Sequence, residues 1–411
     1  MTKQTRLRAG AARVETTPTA LEGLNPFGPD FLSVRDPLYA RALVVDDGNQ
    51  QAALIALDLV EVGVTDDIRA RIAAETGIPA DRVMLAPCHS HNCPRVGLVT
   101  PGGKARIPTP QSLVYTQYVY DRIIEAIRAA QANLRPAWLG FGAEAVDVNV
   151  CREAYVNDVW TLGYVPDGIS DKTLSVLSLV DEAGEVIAAV LNYAVHPTVM
   201  LGVREVSADL AGETVANVEN ALGDGAVVLW TSAALGDQAP KVQLGEATNN
   251  PDRDRAFATS ALRAQGFMLG AAAARIISVT DGFSGTGPVR AGLTVIPCPV
   301  RRLPVPPGME QAEVDTVDLT LATLQIGPVV FAGVSGEVTV PVGRAIKQAS
   351  PLAQTLIISN ANARIGYLPT DESYDRKTHA ANGCPIVKGH AAKTIVCGLA
   401  DLVMAGLTAH G

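Results

Sequence analysis

Apolar positions along the chain switch between alternation and helical spacing, and those switches lay out the elements. Residues 7–16 read as a strand. Two apolar runs, 40–45 and 52–57, flank Asp46-Asp47-Gly48-Asn49, and Asp-Gly between such runs predicts a β-hairpin. Thr65 is placed to cap a helix that runs to about residue 76 and stops at Gly77 and Pro79. Residues 82–87 form a short apolar run that predicts a buried strand. Residues 93–112 carry Pro94, Pro101, Gly102, Gly103, Pro108 and Pro110, which predicts a long loop of the kind that closes over a site. Helices are predicted over 115–132, 209–221, 253–277, 338–349 and 391–408. Strands are predicted over 138–148, 174–180, 186–195, 226–230, 289–299, 315–325, 329–333 and 356–359. No repeat of 20–50 residues is visible. The Pro-rich stretch 303–308 has strand signals on both sides and reads as an internal loop. The pattern predicts an α/β fold, mixed β-sheets layered with helices, in one domain over 1–411.

Composition narrows the classes of function. Hydrophobic residues make up 48% of the 411 positions and charged ones 18%, the balance of a globular chain. Lys+Arg number 33 against Asp+Glu 42, a net charge of -9, which argues against nucleic acid or an anionic membrane as the main partner. No run looks close to the roughly 18 apolar residues of a membrane span, and no leader is apparent. The six cysteines form no paired CxxC zinc site, so reduced thiols and a cytoplasmic location are expected. A homo-oligomer remains open on these grounds.

Of the six histidines, two sit in His89-Ser90-His91, just past the predicted 82–87 strand. If the backbone stays extended there, both imidazoles point the same way. They suit a metal, or one metal ligand and one proton carrier. His196, Asp237, Glu337 and Tyr367 also follow predicted strands. In α/β proteins ligands collect beyond the carboxyl ends of strands.

Several blocks, taken in order, resemble the catalytic domain of the neutral/alkaline (non-lysosomal) ceramidase family. They are Asp36-Pro37-Leu38-Tyr39-Ala40-Arg41 with Asp58, Cys88-His89-Ser90-His91, Asn149-Val150-Cys151-Arg152, Asn192 to Thr198, Ser207 to Gly212, Gly236-Asp237-Gln238-Ala239-Pro240, Ser335-Gly336-Glu337 and Gly366-Tyr367-Leu368-Pro369-Thr370. The resemblance implies one zinc ion with His89, His196, Glu337 and Tyr367 as ligands, another divalent metal being an option. It implies a proton-transfer role for His91 and a carbonyl-orienting role for Arg152. The chain departs from the family in two blocks. Ala239 stands where the family has a serine proposed to act in catalysis. His379 lies where the family has a Tyr-Glu pair, which makes it a candidate for substrate binding or proton transfer. With the sequence running to Gly411, the family's C-terminal β-sandwich domain is not expected.

These readings lead to an expected function: a zinc-dependent hydrolase of a C–N amide bond in a small polar molecule, such as a linear amide, a lactam or an N-acyl amino acid. Metal-bound water is the expected nucleophile. Arg95, Asp237 and Arg364 are the expected substrate-binding groups, with Lys104, Arg106 and Lys241 as further loop cations. The alternatives are a metal-dependent ester or lactone hydrolase, a lyase or isomerase, a non-catalytic metal or ligand binder, and a cysteine enzyme using Cys88 or Cys93.

Overall fold

A computed structural model describes residues 6–96, 104–223, 225–245, 248–305 and 309–408. Among these residues one arrangement occurs three times. Arg8–Glu15, Tyr39–Asp46 and Gln51–Leu57 pair antiparallel in turn; the helix Asp66–Thr76 follows, and Val83–Pro87 returns parallel to Gln51–Leu57. Trp138–Ala145, Thr173–Val180 and Val186–Tyr193 do the same, with the helix Asp209–Leu222 and the parallel strand Val227–Ser232. Val289–Pro299, Thr316–Ile326 and Val329–Val334 repeat it, with the helix Val340–Ala349 and the parallel strand Gln354–Ser359. The repeat is one of topology, not of residues. Apolar side chains of many kinds fill such cores, so no period shows in the sequence.

The three parallel strands meet end to end. Ser232 Oγ donates to the Cys88 carbonyl (2.9 Å) and Ser359 Oγ to the Ala233 carbonyl (2.6 Å). Asn362 Oδ1 accepts from the Leu85 amide (2.9 Å). The loops that leave these strands therefore converge on one point, and there a strand-end site can assemble.

Most predicted elements form within a few residues of their expected ends. Gly77 closes the first helix at φ 77, a left-handed conformation that glycine adopts without strain. Thr65 stands before that helix but leaves the cap unfilled; its hydroxyl donates to the Asn362 carbonyl instead. The helix expected over 115–132 begins earlier, at Pro110, because Thr109 and Ser112 form a capping box. Within the expected 93–112 loop, 97–103 lie outside the described residues, and Lys104–Arg106 is a strand paired with Met309–Gln311.

Three features depart from the sequence reading. The hairpin Asn149–Val156 and Val159–Val165 was not anticipated. Its outer part exposes Tyr155, Val159 and Leu162, so alternation there does not mark a buried face. The short helices Asp371–Arg376 and His379–Asn382 also carry no helical period. The helix Ala391–Thr408 has a mean hydropathy of 1.5 over 18 residues, long and apolar enough to cross a membrane by length and composition, which corrects the expectation that no run comes close. Here Ala391, Ile395, Leu399 and Val403 form its buried stripe against the strands Val289–Pro299 and Thr316–Ile326.

Candidate metal centre

His89 stands just past Val83–Pro87 with φ 68. The backbone thus leaves the extended conformation, and strand alternation does not align the two imidazoles as expected. A turn does it instead: the Cys93 amide donates to the Ser90 carbonyl (3.2 Å), and the His89 and His91 rings meet edge to face with centroids 5.2 Å apart. His196 joins them at 5.1 Å from His89 and 5.8 Å from His91. The ligand nitrogens of these three histidines all lie within 4.8 Å of one another.

The repeated topology explains the convergence. Val60, His196 and Glu337 stand at the same place in their units, just beyond the second strand of each hairpin. The Val60 carbonyl accepts from His89 Nδ1 (2.6 Å). His196 Nδ1 faces the carbonyls of Leu235 (2.7 Å) and Gln238 (3.0 Å). A carbonyl only accepts, so both histidines carry a proton on Nδ1 and turn Nε2 inward. His89 Nε2 is buried without a hydrogen-bond partner, 3.5 Å from Glu337 Oε1.

His196 Nε2 lies 3.1 Å from Glu337 Oε2, and both residues are fully buried. Burial, helped by the Arg152 charge, pushes the His196 pKa down to about 3. His196 Nε2 thus faces both the Glu337 carboxylate and the Arg152 guanidinium, whose Nη2 is 3.0 Å away. Burial alone would raise the Glu337 pKa, but Arg364, His89 and His196 outweigh it and hold the carboxylate well below its ordinary value. Arg364 donates to Glu337 Oε1 from Nε (2.9 Å) and pairs with it through Nη2 (2.7 Å), while its Nη1 reaches Glu61 Oε2 (3.2 Å).

Arg152 closes the other side. Its Nη2 lies 3.0 Å from His196 Nε2, 2.9 Å from the Gly236 carbonyl and 3.0 Å from the Tyr367 hydroxyl. Burial and the Glu337 charge push the Tyr367 pKa up to about 12. His379 meets the Tyr367 ring edge-on, centroids 5.2 Å apart, and both line a cavity of about 220 Å³ together with Arg364 and Asn382. Burial, with His89 and His196 beside it, lowers the His91 pKa well below its ordinary value.

The structure thus brings together His89, His91, His196, Glu337, Tyr367, Arg152, Arg364 and His379. Asp237 is not among them. Its Oδ1 accepts from the Val340 amide (2.9 Å) at the start of the Val340–Ala349 helix and from Gln238 Nε2 (3.1 Å), so it caps a helix. Arg95 donates to the carbonyls of Gly23 (3.0 Å) and Ile107 (3.4 Å). Lys241 pairs with Asp147. Cys88 and Cys93 are buried with Sγ atoms 4.0 Å apart, and burial raises the Cys93 thiol well above its ordinary pKa, the opposite of an activated nucleophile. Two contributors went unnoticed in the sequence. Glu61 holds Arg364, and Phe27 stacks on His91 with centroids 4.1 Å apart and planes 22° from parallel. No spacing rule points from either to its partner.

The sequence profile described as "Neutral/alkaline non-lysosomal ceramidase, N-terminal" matches residues 32–268, more than half of the chain. The chain belongs to the neutral/alkaline non-lysosomal ceramidase family. A curated relative, the neutral ceramidase of Pseudomonas aeruginosa, is 28% identical over 224 residues, which span 50% of this chain and 32% of the relative. The match thus takes in about a third of that relative's length. The crystal structure of neutral ceramidase from Pseudomonas aeruginosa superposes with a TM-score of 0.79 at 20% identity, covering 98% of this chain and 75% of that one. A structure titled "Ceramidase complexed with C2" gives the same TM-score at 18% identity, again over 98% of this chain and 75% of that one. At those identities the likeness establishes the fold: mixed sheets and helices arranged as in a ceramidase catalytic domain.

Proposed function

We propose that this chain is a metal-dependent hydrolase that cleaves the C–N bond of an N-acyl amide, with a zinc ion held by His89, His196, Glu337 and Tyr367. The observation that carries the reading is the facing pair of His196 Nε2 and Glu337 Oε2, 3.1 Å apart. Arg152 Nη2, 3.0 Å from His196 Nε2, answers part of this buried pair, and a cation between the two atoms would answer both. The orphaned Nε2 of His89 is a third donor aimed at the same place. Imidazole, carboxylate and phenolate together suit a borderline ion such as zinc.

A bound zinc ion supplies Lewis-acid polarisation of a carbonyl and lowers the pKa of water beside it. The chain's own residues supply the rest. His91, its ring 5.2 Å from that of His89 and 5.8 Å from that of His196, would take a proton from attacking water and return it to the leaving nitrogen. Arg152 carries a permanent charge into the site from Nη2 and orients the carbonyl oxygen. Arg364 fixes the Glu337 carboxylate through Oε1 and leaves Oε2 directed at His196. His379 lines the cavity next to Tyr367 and is placed to bind substrate or to transfer a proton there.

The relatives are named as ceramidases, enzymes of a lipid amide, which weighs against the small polar substrate expected from the sequence. The test is a panel of short- and long-chain ceramides, N-acyl amino acids and lactams, assayed with zinc-loaded wild type and His91→Ala. Release of free amine by the wild type, reduced at least about a hundredfold in the variant, supports the reading. Cleavage of esters or lactones with every amide left intact replaces it with the ester reading.

A further inference from the structure

We infer that Phe27 is a positioning residue for His91: its ring lies against one face of the imidazole and holds it in the orientation that proton transfer requires. The inference deepens the hydrolase reading above and rests on it for its kinetic consequence.

The two rings are stacked. The ring centroids are 4.1 Å apart and the planes differ by 22°. The other two rings beside His91, those of His89 and His196, meet it edge to face at 5.2 and 5.8 Å. Edge contacts leave an imidazole free to tilt about its own χ2, whereas a stacked neighbour restricts that torsion. His91 has backbone anchoring at its amide, which donates to the Pro197 carbonyl (3.4 Å). The ring needs a separate restraint.

Phe27 is itself fixed by a braced loop. Its amide donates to Asn25 Oδ1 (2.9 Å), and Asn25 Nδ2 donates to the Pro29 carbonyl (2.6 Å). Gly23, at φ 69, turns the chain and donates to Asp30 Oδ1 (2.7 Å). Arg204 holds the Asp30 carbonyl through Nε (2.9 Å) and Nη2 (2.6 Å). From the other side Arg95 Nε and Thr109 Oγ1 both donate to the Gly23 carbonyl at 3.0 Å. Arg95, expected to bind substrate, thus works on the loop that carries Phe27. A loop held at both ends can keep a half-exposed aromatic in place without burying it. Phe27 also precedes residue 32, where the match to the family profile begins.

The test compares Phe27→Ala, Phe27→Leu, Phe27→Tyr and Phe27→Trp, each zinc-loaded. On the best amide substrate, Phe27→Ala and Phe27→Leu are expected to lower kcat about tenfold with KM within twofold, while the two aromatic variants stay near wild type. Metal content is unchanged in all four. Independently of activity, carbethoxylation of His91 by diethyl pyrocarbonate, followed by peptide mass spectrometry, is expected to accelerate several-fold in Phe27→Ala and not in Phe27→Tyr. Unchanged kcat and unchanged modification in Phe27→Ala overturn the inference. A loss of activity that Tyr and Trp fail to restore, together with a lower melting temperature, also overturns it and assigns Phe27 a structural role. If the wild type cleaves no amide, the hydrolase reading fails by itself, and the modification rates still decide whether Phe27 holds His91.

Discussion

His196 Nε2 faces Glu337 Oε2 across 3.1 Å in a fully buried setting, with the histidine proton directed away toward the Leu235 carbonyl. Without a metal only Arg152 and Arg364 offset the cost of this buried pair. With one it becomes part of a chelate. Removing metal from the wild type is therefore expected to lower its melting temperature, and returning zinc at about a thousand times its Kd restores about 4 kcal/mol. His196→Ala removes the dependence. The check is thermal unfolding with chelator and with zinc, for both proteins.

Arg364 compensates the buried Glu337 charge in the metal-free protein. Arg364→Ala leaves that carboxylate without its partner and is expected to destabilise the metal-free protein by about 3–5 kcal/mol. Zinc supplies replacement charge, so the loss is smaller in the loaded protein. Urea unfolding of both forms measures the difference. Equal losses with and without zinc would mean that Arg364 acts through packing alone.

Asp209 supplies a pH signature away from the metal. It is buried at φ 52, accepts from the amides of Val199, Met200 and Leu210, and burial raises its pKa to about 6. The folded state then binds this proton more tightly than the unfolded chain, whose carboxyl titrates near 3.8. Stability contributed by this group is present at low pH and is lost as pH rises through about 6. The wild type is expected to lose about 3 kcal/mol relative to Asp209→Asn between pH about 4 and pH about 6. Denaturant unfolding across that range checks the slope, and a constant difference between the two proteins contradicts it.

Gly10 marks a close approach of sheet and helix. A Cβ built there falls 2.1 Å from the Ala130 carbonyl oxygen and 2.8 Å from the Leu134 amide nitrogen. Both are backbone atoms and cannot move aside cheaply. Gly10→Ala is expected to cost about 3 kcal/mol or more, read from the shift in urea midpoint.

The central strands were legible because they are buried on both faces and read as continuous apolar runs, and the long helix Pro110–Ala132 because its buried face imposes a helical period. The 149–165 hairpin escaped because Tyr155, Val159 and Leu162 face solvent. The threefold arrangement escaped because shared topology does not demand shared residues. At the site, His89, His196, Glu337 and Tyr367 were legible from their places just past strands and from the order of the family-like blocks. Phe27 and Glu61 were not, since each meets its partner, His91 or Arg364, across a large gap in the chain. Asp237 shares the strand-end placement, yet the nearby Val340 amide claims its carboxylate. Position alone cannot separate a ligand from a helix cap.

The most direct measurement is elemental analysis of purified wild type, His196→Ala and Glu337→Ala, each checked for folding by circular dichroism. About one zinc per wild-type chain, absent from both folded variants, is the predicted result. A folded wild type that holds no divalent metal and cannot be loaded with any contradicts the metal centre and the hydrolase reading built on it.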